Sequence, residues 1–463
     1  MHRSLWLEEA LAVEDGGPAA ALAGDQEADV CVVGGGYTGL WTALRIKELD
    51  PGCDVAIVEA DICGGGASGR NGGFLTTWWS KLGTLIKACG EEEGVRIARA
   101  SEEAVDSIEA FCTEHGIDAH FRRGGWLWVA TAPAQVGMWE SAIAECERHD
   151  VHEFVRLTPA ELHEHIDQPT HLGGAFEPRT ATVHPAHLVC GLRRVALERG
   201  VRIHEGTPMH AIEGDGRPVV RTPRGAVRAD SVVLTIGAWA TGRRGFRTRL
   251  ANIADYVVVT EPIADRLQEI GWTSNIGIAD FREMLYYLRP TEDRRVAIGG
   301  GTTGALFGGR IGRGATRLRS VAEESARGLR YLFPSLEDVR ITHAWGGPID
   351  VTPSWTPFFT TLRPGVVCGL GFSGHGLAAT KLGGKTLASL VLGRDDEWTR
   401  LPVVGDAVGR FPPEPLRWPI VRSTVLGMFR HDRAADQGRR PAALWRMLDH
   451  APSAYRELFR GRR

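Results

Sequence analysis

Long apolar segments are missing from this sequence of 463 residues. No apolar run approaches the roughly 18 residues that a membrane-spanning helix needs. The N-terminal residues 1–6 also lack the hydrophobic stretch that is typical of a secretory signal. We therefore expect a protein without a membrane segment, located in the cytoplasm.

An excess of charge of either sign is also missing, because the formal net charge is -3 at pH 7. A chain this close to neutrality has no electrostatic basis for binding nucleic acid or an anionic membrane. Lysine is scarce beside abundant arginine, and we interpret this imbalance as codon bias. The lysines are Lys47, Lys81, Lys87, Lys381 and Lys385.

The cysteines and histidines show no metal-binding or redox spacing. No two of the eight cysteines form C-x-x-C, which predicts reduced and mostly buried thiols. The close pairs His163 with His165 and His184 with His187 fit no zinc motif. We therefore expect no metal site. The cysteines are Cys31, Cys53, Cys63, Cys89, Cys112, Cys146, Cys190 and Cys368.

A strand, a glycine turn, a helix and a second strand follow one another near the N-terminus. Residues 30–33 are a short β-branched apolar run, which predicts a buried strand. Residues 34–39 read G-G-G-Y-T-G and fit G-x-G-x-x-G, and a helical pattern follows them. Residues 54–59 predict a second strand that ends in a carboxylate. This order predicts a βαβ unit that binds a dinucleotide.

Each glycine of this turn has a distinct predicted role. Gly34 permits the tight turn, Gly36 lets the backbone approach a pyrophosphate, and Gly39 lets the helix pack closely on the strand. The helix N-terminus offers N–H groups to the diphosphate. Glu59, 20 residues beyond Gly39, is placed to accept hydrogen bonds from the adenosine ribose.

Two further glycine-dense segments complete the pattern. Residues 67–73 read A-S-G-R-N-G-G, and residues 371–376 read G-F-S-G-H-G between a predicted strand and a predicted helix. On these motifs the sequence resembles the D-amino-acid oxidase superfamily of FAD enzymes, which includes glycine, sarcosine and γ-glutamylputrescine oxidases. Within it, the likeness is to the γ-glutamylputrescine oxidase-like branch. The resemblance covers about residues 5–460.

The resemblance implies an α/β fold in two interleaved domains. A Rossmann-type FAD-binding domain is expected in residues 27–80, 155–245 and 342–398. An α+β substrate domain, built on a mainly antiparallel sheet, is expected in residues 81–154 and 246–341. Residues 399–463 form a C-terminal extension that we expect to pack on the surface.

The resemblance also implies where FAD binds. The turn at residues 371–376 is expected to lie against the flavin ring, and the helix after it to point its positive end at the side where reduction places charge. Residues 344–348 read A-W-G-G-P and lack the cysteine that links flavin covalently in the sarcosine-oxidase branch, so we expect noncovalent FAD. The predicted FAD contacts are Gly34, Gly36, Tyr37, Thr38, Gly39, Glu59, Ala60, Ala67, Ser68, Arg70, Asn71, Gly72, Gly73, Gly237, Ala238, Trp239, Gly371, Phe372, Ser373, Gly374, His375 and Gly376.

Three side chains are candidates for catalysis. Tyr287 and Arg289 lie two apart on a predicted strand and therefore on one face. Arg289 either binds a substrate carboxylate or phosphonate at two points or forms a surface ion pair. His375 either aids proton transfer or donates to a flavin oxygen or the backbone. Trp78 or Trp79 either walls the site or belongs to the core.

The resemblance implies that the substrate is a small amine or amino acid. A C–H next to nitrogen gives hydride to flavin N5, and water hydrolyses the resulting imine. The electrons then pass to oxygen or to another acceptor. The acceptor is left open because residues 296–298 lack the oxygen-activating lysine of the sarcosine-oxidase branch. Two alternatives stay open: a flavin dehydrogenase of a 2-hydroxy acid, and a catalytically silent flavoprotein subunit.

Overall fold

A computed structural model describes residues 3–14, 17–300, 306–312, 315–316, 319–405 and 409–439. Parts of the predicted substrate domain, and residues 406–408 and 440–463 of the predicted extension, lie outside these ranges. The helices described are α1 (Leu5–Val13), α2 (Tyr37–Leu49), α3 (Leu82–Cys89), α4 (Glu91–Glu114), α5 (Glu140–Glu147), α6 (Pro159–His165), α7 (Pro185–Glu198), α8 (Ala264–Glu269), α9 (Arg319–Leu332), α10 (Gly376–Val391) and α11 (Arg417–Asp436).

The strands belong to two large sheets and one small pair. They are β1 (Gln26–Val33), β2 (Val55–Val58), β3 (Phe74–Leu75), β4 (Trp126–Val129), β5 (Val155–Leu157), β6 (Gly174–Glu177), β7 (Ala181–Thr182), β8 (Arg202–His204), β9 (Ala211–Glu213), β10 (Val219–Thr222), β11 (Gly225–Leu234), β12 (Ala251–Thr260), β13 (Gly277–Asp280), β14 (Tyr287–Pro290), β15 (Val296–Gly299), β16 (Ile341–Val351), β17 (Phe358–Arg363) and β18 (Val366–Leu370).

The first sheet contains the parallel strands predicted from the βαβ motif, and β17, β10 and β9 join it as antiparallel strands. Its order is β17-β18-β11-β1-β2-β8, and β1 pairs in parallel with both β2 and β11. β2 also pairs in parallel with β8, and β11 with β18. Residues 30–33, 55–58, 232–234 and 366–370 of these strands are buried, which explains why each is a continuous apolar run. Helices α2, α7 and α10 cover one face and share its core. The predicted Rossmann-type architecture is therefore confirmed.

The second sheet is mainly antiparallel, as predicted. Its order is β16-β12-β15-β14-β13-β4-β6-β5. The pair β13 and β4 runs parallel, so the sheet is mixed. One face packs on α9 and on the segment around α8 through an apolar core that includes Ile278, Leu288 and Ile298. The opposite face is turned toward the first sheet.

Three strands join this second sheet although they lie in ranges predicted for the FAD-binding domain. β6 pairs with β4, and β5 pairs with β6. β16 pairs along the whole of β12. Strand pairing depends on partners far away in the sequence, so local patterns do not determine sheet membership. By pairing, β5, β6 and residues 342–351 of β16 belong to the second sheet, and the domain bounds themselves stay a prediction.

The sequence has helical patterns near residues 81–88 and 92–115, and the structure forms α3 and α4 there. A helical pattern also covers residues 135–149, but α5 is shorter, because a 3-10 turn at Pro133–Gln135 and Gly137, with a φ of 83°, precede it. A positive φ interrupts a right-handed helix.

Of the described helices, none has both the length and the apolarity to cross a membrane.

Candidate functional site

A cavity of about 1200 Å³ lies between the two sheets. Its walls include the residues that follow the carboxyl ends of β1, β2, β11 and β18, together with the inner face of the second sheet. In open α/β sheets, ligands bind at the carboxyl ends of the parallel strands. The volume exceeds the ~300–1,000 Å³ of common small-molecule pockets and accommodates a large ligand with a second one beside it.

Gly34 and Gly39 of the turn after β1 lie so close to neighbouring backbone that a side chain would clash with it. Gly34 has a φ of +111°, and a Cβ there would lie 2.6 Å from the carbonyl oxygen of Thr235. A Cβ on Gly39 would lie 2.0 Å from the carbonyl oxygen of Gly34. Gly36 lines the cavity and precedes α2, which begins without a side-chain cap. The positive end of α2 therefore faces the cavity, as a diphosphate requires.

Glu59 stands at the end of β2 on the cavity wall. Its Oε2 accepts a hydrogen bond from the N–H of Gly35 at 2.7 Å, and its Oε1 accepts one from Asp61 at 2.9 Å. Burial raises the pKa of this carboxyl. Each oxygen keeps a second lone pair, so the backbone holds Glu59 in place while it can still accept from a ribose hydroxyl.

The loop at residues 67–73 is held rigidly beside the turn. Ser68 Oγ accepts the N–H of Tyr37 at 2.9 Å. The Nε of Arg70 donates to the carbonyl oxygen of Gly65 at 3.1 Å, and Asn71 Nδ2 donates to that of Ser68 at 2.8 Å. These bonds leave the loop backbone along the cavity, where a cofactor can lie against it.

Helix α1 supports this loop from behind. Ser4 Oγ donates to the carbonyl oxygen of Gly69 at 2.5 Å, and Trp6 Nε1 donates to that of Asn71 at 3.1 Å. The Trp6 ring meets the Trp345 ring edge-on at a centroid distance of 5.3 Å. Helix α1 is thus part of the support of the site, although no motif marks it.

The third glycine segment joins β18 to α10. Gly371 has a φ of 80°, and its N–H donates to Asp350 Oδ2 at 2.5 Å. Burial raises the pKa of Asp350 to about 6. His375 Nδ1 lies 3.0 Å from the carbonyl oxygen of Ser373, so this nitrogen carries the proton and donates. Burial lowers the pKa of His375 to about 3, and the ring is therefore neutral near pH 7.

The inner face of the second sheet brings polar groups into the same cavity. Tyr287 donates its hydroxyl to Asp255 Oδ2 at 2.8 Å, and burial raises the pKa of both groups. Thr77 donates to Glu177 Oε1 at 2.5 Å. Burial lowers the pKa of Lys81 to about 7. The glycine turn at residues 34–39 and these titratable side chains therefore line the same cavity.

Most predicted cofactor residues line this cavity. They are Gly34, Gly36, Tyr37, Thr38, Glu59, Ala60, Ala67, Ser68, Arg70, Asn71, Gly72, Gly237, Ala238, Trp239, Phe372, Ser373, Gly374, His375 and Gly376. Gly39, Gly73 and Gly371 are not among the lining residues. A Cβ on any of these three would lie within 2.3 Å of a neighbour, so they allow close packing behind the wall.

The predicted catalytic residues are placed unequally. Tyr287 and His375 line the cavity, but Arg289 does not. Arg289 is 5% exposed, so it forms no surface ion pair. Its Nε donates to the carbonyl oxygen of Gly72 at 2.6 Å, and its Nη2 donates to that of Val183 at 2.9 Å. The guanidinium thus holds the backbone of the loop.

Several lining residues belong to no motif, so the sequence does not predict their place in the site. They are Lys81, Trp126, Trp128, Glu177, Asp255 and Met284, together with side chains of α11. Trp78 and Trp79, considered as possible wall residues, are both buried in an apolar cluster and do not line the cavity. The alternation of side chains along β4 and β12 is the available signal. It predicts that one face of each strand points inward, but it does not predict which residues that face contacts.

Glu177 provides a pH test of this buried wall. The side chain is 1% exposed, and burial raises its pKa from 4.5 to about 7. Between these pH values the unfolded chain binds fewer protons, so the free energy of unfolding falls as the pH rises. In Glu177→Gln the free energy of unfolding no longer falls for this reason. Relative to the unsubstituted protein, the free energy of unfolding of the variant should therefore rise by ~3 kcal/mol between pH 4.5 and about pH 7.

Guanidinium unfolding at a series of pH values measures this difference. Glu164→Gln, the same substitution on an exposed side chain, is the control and should leave the pH profile unchanged. A constant difference between Glu177→Gln and the unsubstituted protein would show that Glu177 is not buried as a neutral acid.

Comparison with known proteins extends over both sheets. The model of a family described as FAD dependent oxidoreductase, DAO, matches residues 29–390. The chain is 30% identical over 380 residues to the gamma-glutamylputrescine oxidoreductase of Escherichia coli (strain K12), covering 81% of this chain and 86% of that protein. It is 29% identical over 382 residues to a probable oxidoreductase OrdL of Rhizobium meliloti (strain 1021), covering 81% and 86%.

The fold has counterparts among solved structures. The chain is similar to the crystal structure of glycine oxidase from Geobacillus kaustophilus, with a TM-score of 0.67 and 21% identity, covering 80% of this chain and 96% of that one. The family match ends within α10, so α11 lies beyond it.

Proposed function

This chain belongs to the DAO family of FAD dependent oxidoreductases, and on that premise we propose that it oxidises the C–N bond of a small amine or amino acid to an imine. When bound, FAD supplies the ring that accepts a hydride from the carbon next to nitrogen. The residues of the chain bind the substrate, orient it and manage its proton. Oxygen or another acceptor then takes the electrons.

One observation carries the proposal: buried carboxyl groups of the second sheet face the cavity that the glycine segments line. Asp255, with its partner Tyr287, and Glu177 are both on this wall. An ammonium group beside these carboxyl groups favours their ionised form, because opposite charges attract strongly in a low-dielectric site. The carboxyl groups therefore suit an amine better than a neutral alcohol.

A substrate ammonium must lose a proton before the carbon beside it can give up hydride, because the nitrogen lone pair then forms the imine bond. Lys81 lines the cavity, and its pKa of about 7 leaves its Nζ partly uncharged near neutral pH. We assign Lys81 Nζ as the acceptor of this proton. His375, already neutral, donates through Nδ1 to the backbone and positions the turn at the start of α10.

FAD is held without a covalent bond to cysteine in this proposal. Among the described residues that line the cavity there is no cysteine. Cys63 packs against the first glycine turn, where a Cβ on Gly35 would lie 2.6 Å from its Sγ. Burial raises the pKa of the Cys63 thiol well above its usual value, which opposes reaction as a thiolate. Denaturation of the protein followed by ultrafiltration should therefore leave all flavin in the filtrate.

The test is anaerobic reduction of the flavin by pooled candidate substrates. The purified protein is mixed with primary amines, secondary amines, amino acids or hydroxy acids while its yellow absorption band is followed. Bleaching by an amine or amino-acid pool is the expected result, and readmitted air then shows whether oxygen accepts the electrons. Bleaching by hydroxy acids alone would overturn the proposal, and no bleaching with any pool would favour a silent subunit.

A further inference from the structure

Helix α11, beyond the family match, forms part of the cavity wall. Five of its side chains line the cavity, at spacings that place them on one face of the helix. They are Ile420, Val421, Thr424, Val425 and Met428. Thr424 donates its hydroxyl to the carbonyl oxygen of Ile420 at 3.1 Å, which leaves this face without an unused hydroxyl donor. The C-terminal extension therefore reaches the site, where surface packing was expected.

The N-terminal end of α11 is anchored by a buried arginine. Arg417 is 3% exposed, and its Nη1 donates to the carbonyl oxygen of Leu250 at 2.7 Å. Its Nη2 also pairs with Glu414 Oε1 at 2.9 Å. Buried guanidinium groups that are fully hydrogen-bonded hold their elements firmly in place.

The C-terminal end of α11 is anchored to the loop that leads into β14. The Asp432 carboxylate accepts the N–H groups of Glu283 and Met284, each at 2.9 Å. Asp436 pairs with Arg282 at 2.7 Å. Met284 itself lines the cavity, so the helix is bound to the segment that carries Tyr287.

We infer that α11 selects the substrate of the amine oxidation proposed above. The reacting C–N bond lies by the polar groups of the second sheet, and an uncharged apolar substituent of the amine packs against the inward face of α11. This inference rests on the proposed function. The five inward side chains of α11 carry no charge, so a charged substituent packed against them would lose its water without pairing with this helix face. An alkyl substituent gains affinity, by about fourfold for each buried methylene.

A series of linear alkylamines tests the inference on the FAD-loaded protein. For the unsubstituted protein, kcat/KM should rise about fourfold per methylene until the space is filled. Hexylamine should exceed aminocaproate, which ends in a carboxylate, by at least about tenfold. Each amine is also tried in its N-methyl form, so that a preference for secondary amines is not mistaken for inactivity.

Val425→Lys places a cation on the inward face and should reverse this preference. The ratio of kcat/KM for hexylamine to that for aminocaproate should fall by at least about tenfold, because the new ammonium group pairs with the carboxylate. Leu426→Lys is the matched control. Leu426 is 45% exposed and is not a lining residue, so the ratio should not change. An equal ratio in Val425→Lys and the unsubstituted protein would overturn the inference.

Two further measurements keep the test decisive. If Val425→Lys fails to fold or to retain FAD, Val425→Ala replaces it and should move the preferred chain length upward; an unchanged optimum would overturn the inference. Calorimetry with primary amines whose carbon next to nitrogen carries three alkyl groups, and therefore no hydrogen, measures binding without oxidation. Binding that is weaker to Val425→Lys, but not to Leu426→Lys, supports the inference even if no amine reduces the flavin. The absence of flavin reduction would count against the proposed function only.

Discussion

Replacing Gly36 with valine is expected to weaken FAD binding by ~100-fold, equivalent to ~2.8 kcal/mol, while the fold is kept. The backbone of Gly36 has a φ of -83° and a ψ of -176°, which valine also adopts. A Cβ at this position has Ser68 Oγ as its nearest neighbour, at 2.9 Å. The added methyl groups would therefore occupy the space in which the backbone approaches a pyrophosphate.

The FAD dissociation constant of Gly36→Val is measured by flavin fluorescence on the cofactor-free protein, and far-ultraviolet circular dichroism reports the fold. Gly52→Val provides the matched control. Gly52 is exposed in the turn after α2, where a Cβ would meet only Asp50 Oδ1, at 3.4 Å. An unchanged affinity in Gly36→Val would contradict the placement of the diphosphate at the start of α2.

Arg289→Met is expected to lower the free energy of unfolding by ~3–5 kcal/mol. The guanidinium donates to the carbonyl oxygens of Gly72 and Val183 and lies 5.1 Å from the centre of the Trp6 ring. Methionine fills a similar volume but donates no hydrogen bond, so these buried acceptors lose their partner. Because Gly72 belongs to the loop on the cavity wall, part of the FAD should be lost as well.

Chemical unfolding followed by circular dichroism measures this loss. Arg400→Met is the control, since Arg400 is exposed and pairs with the exposed Asp395; its unfolding midpoint should not move. The sequence offered another role for Arg289, contact with a substrate carboxylate. A variant of full stability with a raised KM for amino acids, and an unchanged KM for simple amines, would favour that role over the structural one.

The nucleotide-binding half of the site could be predicted because its signals are local. A β-branched run, a glycine turn and a carboxylate at a fixed distance together define the βαβ unit, and the loop at residues 67–73 follows within one stretch of chain. Glycines such as Gly34 are required by backbone geometry, so their meaning can be interpreted without knowing the tertiary structure.

The substrate half could not be predicted in the same way. Asp255 and Glu177 reach the cavity because β12 and β6 occupy particular places in one sheet, and that order depends on pairings between distant segments. Lys81 follows a pair of tryptophans, and its place near His375, at the start of α10, depends on tertiary packing. The alternation around Arg289 was interpreted correctly as one face, but its direction toward Gly72 could not be known.

The docking of α1 behind the loop has a consequence for how the chain is made on the ribosome. Trp6 and Leu7 are almost completely buried in the finished protein, yet their partners emerge later. Ser4 and Trp6 bond residues 65 positions further along, a delay of about 3–13 s at usual translation speeds. Trp345 follows only after tens of seconds, on the order of a minute at the slowest rates. During that interval the nascent chain exposes this apolar segment, which is too short to form a stable helix alone, and we expect a ribosome-associated chaperone to bind it.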